Sequence, residues 1–217
     1  MSVFGSLQKS FVAGMLRKLF RVRIINPENE PLNQENIKSY VACINHSSNW
    51  DPIIIGACMH RPLRYMAKAE LFKVPVLKSI VKLFGAFPVD RKTADIGAIK
   101  TCISLLGNGE VVGMYPQGTR VKKIHPENVP MKNTVAMVAV RAKAGILPIA
   151  IITKGYKVRM FRKTIIVFGE YMPYEQLEAM SKEGEEISSV ELYKKITEKV
   201  YGVILENYKK YDNLNKR

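Results

Sequence analysis

The sequence predicts an α/β fold: a single domain with a largely parallel mixed sheet flanked by helices, plus an N-terminal amphipathic helix. Three observations carry this reading. Short apolar runs alternate with longer helix-like segments between residues 40 and 169. The runs are apolar enough to be buried, as in a parallel sheet. The chain of 217 residues is 47% apolar and 24% charged, with no repeat and no Gly/Ser- or Pro-rich linker, which fits one sizeable core and excludes wholesale disorder.

In order along the chain, residues 3–20 place Phe4, Leu7, Phe11, Met15 and Leu19 on one helical stripe. Val3, Val12, Leu16 and Phe20 widen the stripe, Lys9, Arg17 and Arg21 oppose it, and Lys18 falls inside the apolar arc. Such a helix either lies in a membrane interface or packs on the domain's own core. Under the first reading, residues 1–22 are a membrane-interface helix before a domain at 23–217, and that domain stays folded without residues 1–20. Strands are expected at Tyr40–Asn45, Arg64–Lys68, Phe87–Asp90, Val111–Tyr115, Leu147–Thr153 and Thr164–Gly169. Helices are expected at Pro52–Met59, Pro75–Phe84, Ala94–Leu106 and Val135–Ala144. A last helix, about Ser188–Tyr208, carries Leu192, Ile196, Val200, Val203 and Ile204 on one face and reads as packing without chemistry.

The net charge is +15, unevenly spread. Residues 170–217 hold 10 acidic and 8 basic side chains, a net of −2, which leaves +17 on residues 1–169. The partners this field suits are nucleic acid, anionic lipid or an acidic protein. The longest uncharged apolar stretch, Ala144–Thr153, is about half the roughly 20 residues that cross a bilayer. Cys43, Cys58 and Cys102 form no paired spacing, which argues against a disulfide framework and suits a reducing compartment.

Chemistry concentrates in Asn45-His46-Ser47-Ser48-Asn49-Trp50-Asp51-Pro52, where a strand passes into a helix. On one helix His46 and Asp51 would lie about 140° apart, but across a strand–loop–helix turn Asp51 can fold back on the imidazole. A carboxylate on one ring nitrogen fixes the tautomer and leaves the other to take a proton. Asp51 before Pro52 also reads as a helix N-cap, and the two roles are compatible. A Cys43–His46 nucleophile pair is disfavoured by their spacing along the strand. Tyr115-Pro116-Gln117-Gly118-Thr119-Arg120 is a strand end with a glycine turn and an arginine suited to phosphate. Gly85-Ala86-Phe87-Pro88-Val89-Asp90-Arg91 is a short strand ending in a second arginine, and Ile146–Ile151 is an apolar strand.

Together NHSSNWD, GAFPVDR, YPQGTR and LPIAI, in this order, resemble the motifs of the glycerophospholipid acyltransferases, specifically the bacterial 1-acyl-sn-glycerol-3-phosphate acyltransferases. The stretch Met66–Leu71 resembles the segment between the first two motifs, and the resemblance covers roughly residues 17–170. It implies the glycerol-3-phosphate acyltransferase-like fold and acyl transfer from a thioester of acyl-carrier protein or coenzyme A to the free sn-2 hydroxyl of lysophosphatidic acid. By motif position, His46 is the general base and Asp51 its orienter. Arg91, Arg120, Lys68, Gly118, Thr119 and Gln117 become candidates for the acceptor's phosphate. The family motif has glutamate where this chain has Gln117, which keeps an acceptor oxygen but loses the charge. No metal or other cofactor is implied, and no ligand-spaced cluster suggests one. The positive body then suits an anionic membrane and an acidic carrier protein, giving a peripheral enzyme on the cytoplasmic face of the cell membrane. Two rivals remain: a family member that binds membrane without catalysis or acts on another lysolipid, and a nucleic-acid-binding domain, disfavoured because most phenylalanines lie in apolar runs.

Overall fold

Each apolar run in the middle of the chain becomes a strand of one sheet. The computed structural model describes residues 3–32, 37–89, 95–121, 123–181 and 187–212. The strands are β1 (Val22–Ile25), β2 (Tyr40–Ile44), β3 (Leu63–Lys68), β4 (Ala86–Val89), β5 (Val111–Met114), β6 (Gly145–Thr153) and β7 (Thr164–Phe168). The helices are α1 (Val3–Leu19), α2 (Asp51–Cys58), α3 (Pro75–Leu83), α4 (Asp95–Gly107), α5 (Thr134–Ala142), α6 (Tyr174–Ala179) and α7 (Ser189–Tyr211). Strand order is β1-β7-β6-β2-β5-β3-β4. Every neighbouring pair is parallel except β6–β7, so the sheet is mixed and largely parallel, as expected.

Both faces of the sheet are covered, which is why its central strands lack a polar side. Along β2, Tyr40, Ala42 and Ile44 enter one core with α1, α2 and α3. Val41 and Cys43 enter the other, with α4, α5, α6 and α7. This alternation explains why Cys43 and His46 do not pair. Cys43, Cys58 and Cys102 are all buried and free, and burial pushes the Cys102 thiol up to about 11. α7 starts with a reciprocal cap: the Glu191 N–H donates to Ser188 Oγ at 3.3 Å and the Ser188 N–H to Glu191 Oε2 at 3.0 Å. Gly85, with φ of +83°, makes the turn into β4 at a point where a Cβ would stand 2.1 Å from the Leu63 carbonyl oxygen.

Three elements depart from expectation, one of them the short helix α6, which the sequence reading leaves out. β1 was not anticipated; it pairs with β7, with Val22 opposite Thr164. α1 divides its side chains instead of choosing one environment. Ala13, Leu16 and Phe20 are buried in the core shared with α2, while Phe11 is 76% and Met15 53% exposed. Leu19 is half-buried, and the side chains of Phe4 and Leu7 lie outside those described. α1 therefore belongs to the domain on one face, and removing residues 1–20 would open the core beneath Phe20. Phe20→Ala alone is expected to cost about 3–5 kcal/mol, read as a lower urea midpoint at unchanged slope. Among the described residues no helix is long and apolar enough to cross a membrane.

Candidate active site

The parallel strands β2, β3 and β5 end on one side of the sheet, where open α/β folds place ligands. β2 stops at Ile44 while β6 runs on, and Asn45 continues the pairing with its side chain. Asn45 Oδ1 accepts from the Ile151 N–H at 2.7 Å and Nδ2 donates to the Ile151 carbonyl at 3.1 Å. Tyr208 of α7 donates its hydroxyl to the same carbonyl. His46 thus leaves the sheet from a fixed point.

His46 Nδ1 lies 2.9 Å from Asp51 Oδ2. The same oxygen accepts the backbone N–H of Ser47 at 2.6 Å and of Ser48 at 2.7 Å. Asp51 is fully buried, and it is the first residue of α2, following Trp50 as N-cap. The capping expectation is therefore corrected: Pro52 is the second helical residue, and the carboxylate turns back onto the loop instead of forward onto the helix. Three donors on one oxygen keep it in place. With the Nδ1 proton held by Asp51, Nε2 is the ring's basic nitrogen.

The imidazole stacks on the Tyr115 ring, with centroids 4.0 Å apart and planes at 24°. Burial, then the charge of Asp51, holds the Tyr115 hydroxyl well above its ordinary pKa, so the ring under His46 stays neutral. The loop after β5 also grips the His46 backbone. Gln117 Oε1 accepts the His46 N–H, and the Val121 N–H donates to the His46 carbonyl at 3.0 Å. Gln117 Nε2 donates to the Tyr201 hydroxyl at 3.2 Å, and that hydroxyl donates to the Pro126 carbonyl, also at 3.2 Å.

A cavity of about 380 Å³ opens beside this arrangement. His46, Asn49, Lys68 and Arg120 contribute its polar groups; Trp50, Ile53, Tyr65, Leu71 and Val81 are among its apolar lining. Arg120 Nη1 donates to Asn49 Oδ1, tying the third motif to the first. Of the residues expected from sequence, His46, Asp51, Lys68 and Arg120 therefore come together, and Arg91 lies outside the described residues. Gln117 lies 6% exposed with both ends of its amide engaged, so it supports the His46 loop and does not line the cavity. Gly118 and Thr119 form an exposed turn off the cavity wall. Gly118 takes φ of +67°, with the Lys132 side chain 3.1 Å from where a Cβ would stand.

Reading α7 as packing alone misses Tyr201 and Tyr208. The signal is two buried tyrosines seven residues apart on an apolar helical face, because a buried hydroxyl needs a partner.

The acyltransferase family model matches residues 21–152 of this chain. The chain is 38% identical over 130 residues to the 1-acyl-sn-glycerol-3-phosphate acyltransferase of Bacillus subtilis, covering 59% of this chain and 61% of that protein. It is 32% identical over 126 residues to the enzyme of the same name from Streptococcus pneumoniae, covering 57% of this chain and 44% of that protein. The matches thus span from under half to about three-fifths of these relatives' length. The crystal structure of the 1-acyl-sn-glycerophosphate acyltransferase PlsC from Thermotoga maritima shares the fold, with a TM-score of 0.64 over 91% of this chain and 80% of that one at 22% identity.

Proposed function

The chain belongs to the acyltransferase family, and from that premise we propose that it transfers a fatty acyl group from an acyl thioester to the free sn-2 hydroxyl of 1-acyl-sn-glycerol 3-phosphate, giving phosphatidic acid. The observation that carries the reading is the His46–Asp51 pair, 2.9 Å apart, on a cavity that Arg120 and Lys68 also line. In this reading Nε2 of His46 takes the hydroxyl proton as the oxygen attacks the thioester carbonyl carbon. The carbon–sulfur bond then breaks, and the imidazolium returns its proton to the departing thiolate. Asp51 stabilises the imidazolium in between. Arg120 and Lys68 hold the acceptor's phosphate, with Arg91 a third candidate; the apolar lining receives hydrocarbon.

The acyl donor is a thioester of acyl-carrier protein or coenzyme A. The enzyme acts as a peripheral protein on the cytoplasmic face of the cell membrane, where the acceptor resides and the basic body meets anionic lipid. Gln117 favours a working enzyme over a purely membrane-binding relative, since the amide keeps the acceptor oxygen that holds the His46 N–H.

Thiol release from both donors, followed with and without lysophosphatidic acid, tests the reaction; release that ignores the lysolipid counts against it. Arg120→Ala is expected to raise the acceptor KM about 10- to 100-fold through loss of charge-assisted hydrogen bonds. The donor KM should hold nearly constant, and a shift confined to the donor would reverse the assignment.

A further inference from the structure

At the turn between β6 and β7, the Arg162 N–H donates to the Arg159 carbonyl at 3.3 Å, so Met160 and Phe161 form the tip. Phe161 has φ of +59°, a conformation that suits glycine and is rare for a bulky side chain. Its side chain is nonetheless 71% exposed, and that of Met160 46%, so the aromatic ring finds little packing inside the molecule. The backbone is fixed from below: the Phe161 N–H donates to the Leu19 carbonyl at 2.8 Å, and Val158 is buried in the core. An exposed phenylalanine held where glycine fits best points to a contact made outside the chain.

The Leu19 contact sets this tip at the end of α1, in line with exposed Phe11 and Met15, which precede Leu19 by eight and four residues on one helical stripe. Exposed arginines edge the apolar surface: Arg159 and Arg162 on the turn, Arg17 and Arg21 at the end of the helix. No Asp or Glu occurs from Met1 to Pro27 or from Val129 to Gly169. Topology brings the patch to the site. β2 and β6 are parallel, so the chain leaves Thr153 on the same side of the sheet as it leaves Ile44 for His46. β1 starts opposite Thr164, itself opposite Thr153, so the junction of α1 and β1 returns to that side. There the Phe20 ring lies 5.2 Å from Trp50, which lines the cavity.

We propose that the β6–β7 turn and the exposed stripe of α1 form one membrane-docking surface, with Phe161 inserted among the lipids and the arginines on anionic headgroups, beside the entrance to the cavity. The proposal rests on the reading of the acceptor as a membrane lipid and adds where the protein meets the bilayer. Apolar side chains ringed by cations without acids complement an anionic, partly apolar interface.

The test is co-sedimentation of the full chain, Phe161→Gly and Arg159→Gln/Arg162→Gln with vesicles of phosphatidylglycerol and phosphatidylcholine, and with phosphatidylcholine alone. Phe161→Gly should weaken binding at least about tenfold, while its melting temperature stays or rises, because glycine relieves the positive φ. These opposite signs distinguish docking from packing. Arg159→Gln/Arg162→Gln should lose about fivefold per charge on the anionic vesicles at low salt, and little on the neutral ones. Unchanged vesicle affinity in Phe161→Gly, or a drop in its melting temperature, overturns the proposal. So does a dimer of the parent that Phe161→Gly abolishes, or a loss of affinity for an acidic carrier protein with vesicle binding intact. Turnover of a short-chain, water-soluble lysolipid should be the same in Phe161→Gly and parent. Vesicle binding that needs Phe161 in a chain with no acyl transfer would refute the reaction and leave the docking surface standing.

Discussion

Replacing His46 by alanine is expected to lower kcat for acyl transfer by about 10²–10⁴-fold in a chain that still folds. The imidazole lines the cavity with its Nδ1 2.9 Å from the Asp51 carboxylate. In the proposed mechanism its removal takes away the proton acceptor for the attacking hydroxyl. The ring is only 12% exposed and stacks on Tyr115, so its loss costs some packing, but the loop that carries it keeps its other anchors. Asp51 keeps the Ser47 and Ser48 N–H donors, and the His46 backbone keeps its bonds to Gln117 and Val121. Purified His46→Ala assayed beside the parent, with thermal unfolding as control, decides the matter. Turnover close to that of the parent would remove His46 from the mechanism.

Asp51→Asn should be nearly as damaging to turnover, and for an electrostatic reason. One carboxylate oxygen accepts from the His46 ring, Ser47 and Ser48 together. An asparagine oxygen can retain the backbone bonds, but it carries no charge to stabilise an imidazolium. If its amide nitrogen faces Nδ1 instead, the tautomer flips and Nε2 ceases to be a base. A loss of about 10²–10⁴ in kcat at nearly parental stability follows. Asp51→Ala should add a folding defect, since two backbone N–H groups lose a buried partner at about 1–3 kcal/mol each. Activity and urea unfolding of the pair separate the two roles; an asparagine variant within about threefold of the parent would deny Asp51 its part in proton transfer.

The strands around His46 were legible because burial on both faces leaves long apolar runs, as at Leu147–Thr153 within β6. β1 was not, because four residues between a helix and a loop carry no periodicity, and their partner is 142 residues away. His46, Asp51, Lys68 and Arg120 were readable as chemistry at the ends of strands. The direction of the Asp51 carboxylate was not, because capping and orienting ask for the same residue before Pro52. Gln117 looked like a phosphate ligand from its place in the glycine turn. Its burial follows from a tyrosine 84 residues later, a separation that no local pattern reports. α1 matched both of its readings because its two faces serve different surroundings.

The hydroxyls of Tyr201 and Tyr208 carry a lesson for anyone trimming this protein to a minimal fragment. The family match stops at residue 152, just inside the end of β6. A fragment ending there would contain every motif yet leave Gln117 without Tyr201 and the Ile151 carbonyl without the Tyr208 hydroxyl. It would also strand β6 at an open edge, since β7 pairs there. The smallest transplantable unit therefore extends through α7, and chimeras that exchange the last helix exchange part of the scaffold under His46.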